Sequence, residues 1–310
     1  MPKRKKSARV APFRISLPAT SANLGPAFDA AALALNLYIR ITATPVSEFA
    51  IDASGRDQEI CGLLTEEHLI LSTYRQILES NRKPVTPLSL RIKNEIPIGK
   101  GCGSSAAARL AGIALANHFG KLRWNDAQIV GEAARREHHP DNASACWMGG
   151  LAIARMNGEA DAQIACIRPK GKWPMLLALP EDALPTEKAR AVLPAEYSRA
   201  DAVSNLQNSL LLIAAFTQGR HDLLRTALDD RIHQPYRAAL CPLLPCLQQV
   251  VGKDGILGVA LSGAGPSVLV FADPHSSPIR VKRAVQTQLE SRGLEAELLS
   301  VSIASRGARG

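Results

Sequence analysis

The chain has 310 residues, 46% of them hydrophobic and 21% charged. That length leaves room for two domains and a sizeable buried core, which excludes a disulfide-stapled miniprotein and a wholly disordered chain. The formal net charge is +9, but aromatic residues make up only 4%, too few rings for a base-stacking nucleic-acid surface or a carbohydrate-stacking cleft.

The charge is concentrated at the start. Lys3, Arg4, Lys5, Lys6 and Arg9 supply five of the nine surplus charges, with no acid among them. Residues 1–12 therefore read as a disordered basic tail, and the mild excess elsewhere requires no nucleic acid. Pro12, Arg14 and Pro18 break up any apolar core of a targeting peptide, and no apolar run is long enough to span a bilayer, so no membrane partner is expected.

Arg14–Leu17 and Leu35–Thr42 read as strands, the second with Leu37, Ile39 and Ile41 on one face. Between them Pro18–Asp29, with Asn23, Gly25 and Pro26, reads as a loop. A helix is expected from Thr65 to about Ser80, then a strand at Ser89–Asn94. The glycine-rich turn Pro97–Gly103 leads into an alanine-rich helix that stops at Gly120. Asn125 and Gln128 make a capping box for the next helix, which ends near His139 ahead of Pro140.

Gly149 and Gly150 precede a strand at Leu151–Met156, and Met175–Leu179 is another. The polar stretch 160–174 marks the expected boundary, giving domains at 13–168 and 169–310. Helices follow around Ala200–Thr217 and His221–Asp229, then a proline-broken helical region over Pro235–Val251. Strands Ile256–Leu261 and Val268–Ala272 flank a second glycine turn. A helix at Pro278–Arg292 and a strand at Glu295–Ile303 close the chain. This mixture, with antiparallel-style turns, predicts an α+β fold. The six cysteines, Cys61, Cys102, Cys146, Cys166, Cys241 and Cys246, are scattered and read as reduced thiols of a cytoplasmic protein. Cys241 and Cys246 lack two nearby ligands that would complete a zinc site.

The most informative stretch is Pro97-Ile98-Gly99-Lys100-Gly101-Cys102-Gly103-Ser104-Ser105-Ala106-Ala107. Alternating glycines open backbone conformations closed to other residues and let amides approach a ligand closely. The helix that follows adds unpaired N–H donors and a partial positive charge. Together they make an anion cradle suited to a triphosphate, and a hydroxyl at the helix start can ligate Mg²⁺. The loop is neither a Walker A motif, because Gly101 follows Lys100, nor a dinucleotide fingerprint, because its third glycine is wrongly spaced. Two further segments, Pro18–Asp29 and Leu261-Ser-Gly-Ala-Gly-Pro-Ser267, read alone as a surface loop and a hairpin turn.

In this order and at these separations, the three stretches resemble the three motifs of the GHMP small-molecule kinases. Ala27 replaces a usual glycine in the first, and Cys102 a usual leucine in the second. His139-Pro-Asp-Asn142 with Gly149–Gly150, and Arg231-Ile-His-Gln-Pro-Tyr-Arg237, fit the branch of the family that phosphorylates L-homoserine. The resemblance runs from about Ile15 to about Val270. It implies a two-domain fold, with an N-terminal domain like ribosomal protein S5 domain 2, a ferredoxin-like C-terminal domain and the site between them. A homodimer is implied too.

The implied reaction transfers the γ-phosphoryl of ATP to the hydroxyl of L-homoserine, in threonine biosynthesis, with Mg²⁺ as cofactor. A phosphate loop of Pro97 to Ala107 would hold ATP, and Ser105 and Glu137 would hold Mg²⁺, with Glu132 as the fallback carboxylate. The substrate is a zwitterion, so opposite charges are needed at its two ends. Arg190 and Arg237 match the carboxylate clamp, for which an arginine fork is well suited. Asp29 and Asn23 match the ammonium end, and His139 borders the same pocket. No lysine matches the Asp–Lys base pair of other members; the hydroxyl proton is expected to leave late, toward the phosphate or through Thr186, and Arg190 is the other catalytic candidate. A kinase of another hydroxy acid, such as mevalonate, is the alternative.

Overall fold

The computed structural model describes residues 11–159 and 161–308. The expected basic tail lies outside the described residues except for Ala11 and Pro12. Strands fall into two sheets. The first contains β1 (Phe13–Asn23), β2 (Ala27–Pro45), β3 (Ala50–Gly55), β4 (Leu88–Asn94), β5 (Leu151–Met156) and β6 (Ala162–Ile167), in the order β3-β4-β2-β5-β6 with β1 on β2. Every pairing is antiparallel except β3 with β4. Five helices belong to this half: α1 (Gln58–Gly62), α2 (Leu69–Ser80), α3 (Ser104–Gly120), α4 (Asp126–Glu137) and α5 (Asp141–Met148).

The second sheet contains β7 (Met175–Leu179), β8 (Ile256–Leu261), β9 (Val268–Ala272) and β10 (Glu297–Val301), all antiparallel in the order β10-β7-β9-β8. Between β7 and β8 come α6 (Thr186–Ala191), α7 (Arg199–Gln218), α8 (Leu224–Ala227), α9 (Gln234–Arg237) and α10 (Leu243–Gln248); α11 (Pro278–Glu290) joins β9 to β10. That succession and strand order are those of a ferredoxin-like β-α-β-β-α-β unit, as expected.

Pro18–Asp29 is not a loop. β1 continues to Asn23 and pairs with β2 from Ala19↔Leu35 to Ala22↔Ala32, leaving a turn only at 24–26. A register shift between Pro18 and Ala19 absorbs the proline. Ala19, Thr20, Ser21 and Ala22 are fully buried, so small side chains line this strand on both faces and the usual polar alternation is missing. The stretch 160–174 also holds a strand, β6, whose exposed Gln163, Ala165 and Cys166 hide it in the sequence. Neither β3 nor α1 was expected, and α2 opens at Leu69, not Thr65.

α3 aims the glycine loop. Ala106, Ala107, Ala111, Ala114 and Ala116 are buried with Leu110, Ile113 and Leu115, and each large side chain contributes about 1.5–3 kcal/mol by leaving water. Small residues bring it close to α2: a Cβ on Gly112 would lie 2.6 Å from the Ile70 carbonyl oxygen. The capping box of Asn125 and Gln128 starts α4 as expected, and His138 ends it in the left-handed conformation.

Candidate active site

The loop before α3 places Gly99, Gly101 and Gly103 at φ of 70°, 74° and 69°. The first intrahelical bond runs from the Ala107 N–H to the Gly103 oxygen, 3.0 Å. The amides of Ser104, Ser105 and Ala106 precede it and remain as donors at the helix end. The other two motifs clamp this loop. Thr20 N–H donates to the Cys102 oxygen at 3.0 Å, and Ser262 Oγ donates to the Gly101 oxygen at 2.7 Å. A Cβ on Gly101 would sit 2.1 Å from the Ser262 oxygen, so the close approach requires glycine. Asn23 Nδ2 reaches the Gly263 oxygen at 2.8 Å, joining the first motif to the third.

Around this loop one cleft gathers the expected residues. Asn23, Asp29, Ser105 and Glu137 line it, as do His139, Thr186, Arg190 and Arg237, together with the three loop glycines and Cys102, Ser104 and Ala106. Ile98 and Ala107 line an adjoining pocket instead. Pro97 and Lys100 line neither. Lys100 Nζ donates to the oxygens of Pro180 and Glu181, 2.7 Å each, so its charge ties the loop to the segment after β7. The two departures from the family motifs are accommodated. Ala27 is buried opposite Asn23 without a positive φ. Cys102 is buried, which pushes its thiol up to about 12, so it fills the leucine's place as an inert apolar group.

The charges are arranged differently from expectation. Asp29 and Arg190, assigned to opposite ends of a zwitterion, form a bidentate ion pair at 2.6 and 3.0 Å. Asn23 Oδ1 accepts the Asp29 N–H at 2.9 Å. Asp29 opens the cleft side of β2 and Arg190 sits in α6, so the pair bridges the two sheets' elements. Arg237 is buried and held by neutral groups: Nε–H donates to the Ala189 oxygen at 2.9 Å and Nη1 to His233 Nδ1 at 3.1 Å. Burial, and next the Arg190 charge, lower its pKa. His233 Nε2–H donates to the Gly25 oxygen at 2.8 Å. With one nitrogen donating and the other accepting, the imidazole is neutral, and burial likewise lowers its pKa.

Sequence reasoning missed several neighbours. The Phe28 ring lies 5.5 Å from the Arg190 guanidinium carbon, 5.3 Å from that of Arg237 and stacks on His233 at 5.2 Å. Asn142 Oδ1 accepts from Thr20 Oγ1 at 2.6 Å. Asp141 Oδ1 faces His139 Nδ1 at 2.6 Å. Burial opposes the charged imidazole, but the hydrogen bond and charge of Asp141, with Asp29 beyond, raise the His139 pKa. The adjoining pocket is apolar, lined by Ile60, Leu63, Ile96 and Ile98, and shares Gly99, Ser104 and Ser105 with the cleft. Its outer wall comes from α1, which the sequence did not disclose.

Ser105 Oγ donates to Glu137 Oε1 at 2.6 Å, and Arg109 pairs with the same oxygen. A hydroxyl and a carboxylate beside a helix N-terminus are oxygen donors of the kind a hard divalent cation takes. Glu132 pairs with Arg135 and Arg136 at 2.8 and 2.7 Å and lies outside the cleft, which removes the fallback. Asp29, His139 and Asp141 also offer ligand atoms within 4.8 Å of one another, but Arg190 already neutralises Asp29 and the other two share a hydrogen bond. Among the described residues no cysteine forms a disulfide. Among the described residues no helix is long and apolar enough to cross a membrane.

Known proteins resemble this chain in sequence and in fold. Models of the GHMP kinase N-terminal and C-terminal domains match residues 68–150 and 212–291. Homoserine kinase of Solibacter usitatus is 40% identical over 95% of this chain and 96% of its own, and that of Synechocystis sp. is 38% identical over 96% and 97%. The crystal structure of homoserine kinase from Cytophaga hutchinsonii superposes with a TM-score of 0.78 at 20% identity, covering 98% of this chain and 99% of its own. The L. major mevalonate kinase complex with R-mevalonate gives 0.68 at 15%, covering 99% of each; these two likenesses speak for the fold alone. With the glycine loop, the two flanking motifs and the two matched domains in agreement, the chain belongs to the GHMP kinase family.

Proposed function

We propose that the chain phosphorylates the hydroxyl of L-homoserine with ATP, forming O-phospho-L-homoserine and ADP in threonine biosynthesis. The carrying observation is one cleft in which Asp29, Arg190 and Arg237 stand beside a glycine loop and the start of α3. Both ends of an amino acid and a polyphosphate find complementary charge there.

In this reading the amides at the start of α3 and the loop glycines bind the phosphates, and the apolar pocket of Ile60, Leu63, Ile96 and Ile98 takes the adenine. Ser105 and Glu137 hold Mg²⁺, which supplies neutralisation of the phosphate charge. Arg190 and Arg237 bind the substrate carboxylate, Asp29 and Asn23 its ammonium, and His139 borders it. The substrate hydroxyl oxygen attacks the γ-phosphorus while the bond to the β-phosphate oxygen breaks and leaves with ADP. Such a loose transfer needs positioning and charge more than a strong base. The hydroxyl proton leaves late, toward the transferred phosphate or through Thr186, which lines the cleft.

The switch from the first sheet to the second between β6 and β7 supports a domain division at 168/169. The absence of disulfides among the described residues is compatible with a cytoplasmic protein. The apolar stripe of Val203, Leu206 and Leu210 on α7, with Leu206 60% and Leu210 64% exposed, is compatible with a homodimer.

An ADP-release assay with L-homoserine, mevalonate, galactose and shikimate, with and without Mg²⁺, tests the reading. ADP release with L-homoserine alone, abolished by chelation, is the expected result. Turnover of mevalonate but not L-homoserine would refute it.

A further inference from the structure

We infer that the Asp29–Arg190 ion pair is exchanged for the substrate's own charges, so that only an acceptor carrying an ammonium group gains the second arginine of the carboxylate clamp. This rests on the reading of the cleft as the site of an amino-acid alcohol, and it adds a rule for which acceptors the site accepts.

Arg190 cannot serve as a free carboxylate clamp in the structure described. Both terminal nitrogens are engaged by the two oxygens of Asp29. Arg237 differs: its side chain is fixed by the Ala189 carbonyl and His233, and among the described residues it forms no ion pair. The cleft therefore presents one guanidinium without an ion-pair partner and one that is already satisfied. The Asp29 and Arg190 side chains are 29% and 35% exposed, so the pair faces the cleft and a ligand can reach both partners. Both guanidiniums lie within 5.5 Å of the Phe28 ring, which keeps Arg190 beside Arg237 whichever carboxylate it holds.

Consider two acceptors that differ only in the amine. A hydroxy acid brings one negative charge. Its carboxylate meets Arg237, but recruiting Arg190 would strip Asp29 of its counter-ion and leave a half-buried carboxylate unpaired, a loss that the new contact at best cancels. A zwitterion brings a replacement cation with it. Its ammonium takes Asp29, Arg190 is released at no net loss of ion pairs, and the carboxylate receives both arginines. The amine thus contributes twice, through its own contact and through the arginine it frees. A simple contact between Asp29 and the amine gives only the first effect.

The two schemes diverge for an acceptor without an amine. The test uses 4-hydroxybutyrate, which is homoserine's chain without the amino group, and measures kcat/KM for it and for L-homoserine at saturating ATP. In Asp29→Asn, the L-homoserine value falls, and the 4-hydroxybutyrate value rises roughly fivefold, the weight of one partly exposed ion pair. The gain disappears in Asp29→Asn combined with Arg190→Ala. A 4-hydroxybutyrate value that stays flat or falls in Asp29→Asn overturns the exchange. The wild-type enzyme supplies a second readout that no folding defect can blur. Methylammonium added together with 4-hydroxybutyrate occupies Asp29 and lowers the KM for 4-hydroxybutyrate; no effect at any methylammonium concentration overturns the proposal. Absence of ADP release from the wild type with L-homoserine is a different outcome, and refutes the substrate assignment itself.

Discussion

Gly103→Ala separates two reasons for a glycine that are usually confounded. Gly103 has φ of 69°, which disfavours any L side chain, and a Cβ there would lie 1.9 Å from Thr20 Oγ1 and 3.1 Å from Asn142 Oδ1. Thr20 cannot turn away cheaply, because it is fully buried and its hydroxyl donates to Asn142 at 2.6 Å. Gly293 is the matched control: φ is 63°, and a Cβ there meets nothing within 4 Å. Gly293→Ala should therefore cost only the left-handed backbone term, about 1 kcal/mol. Gly103→Ala carries the same term plus the loss of a buried hydrogen bond, about 1–3 kcal/mol more. Urea unfolding of both variants reads the difference, and ADP-release kinetics should show a raised KM for ATP in Gly103→Ala alone. Equal destabilisation of the two variants would mean that Thr20 relaxes freely, and that the contact between the first motif and the loop is not what demands glycine there.

Two other perturbations follow from the cleft. Phe28→Leu keeps an apolar group but removes the ring beside Arg190 and Arg237; at about 0.5–2 kcal/mol per cation–π contact, KM for L-homoserine should rise several-fold while KM for ATP holds, and Phe28→Tyr should restore it. For His139, whose pKa is raised above the usual 6.5, the charged form is the stabilised one. Its contribution to stability is complete below about pH 6.5 and is lost as pH rises through the raised folded pKa. The deficit of His139→Asn in denaturant unfolding should thus be larger at pH 5.5 than at pH 9, roughly on the scale of one buried ion pair; a deficit independent of pH would remove the charge argument.

Much of this organisation was legible because the informative residues are constrained locally. The glycine loop and the helix after it announce themselves by backbone demands that few other residues meet, and the structure puts all three loop glycines at positive φ. The capping box at Asn125 depends on residues three apart and appeared where expected. Strand β1 was cut short because its second half is alanine, threonine and serine, buried on both faces beneath α3 and α5. No two-residue alternation survives in such a strand, and small residues read as loop. The apolar pocket beside the loop was missed for a related reason: α1 has five residues, starts from a left-handed Asp57 and exposes Ile60 and Leu63, none of which signals a helix.

The pairing of Asp29 with Arg190 belongs to a different class of omission. The motifs marked both residues, but a motif assigns a residue to a ligand without saying what it binds when the ligand is elsewhere. Those partners are 161 positions apart in the chain and meet only because the start of β2 and the last turn of α6 face the same cleft. Two neighbouring arginines in a partly buried site repel one another, and Arg237's lowered pKa records that repulsion after the cost of burial. Nearby carboxylates offset part of that repulsion. Asp29 does so most directly, as the partner of Arg190, and a substrate that brings both a carboxylate and an ammonium can take over its part without leaving any of the three charges alone.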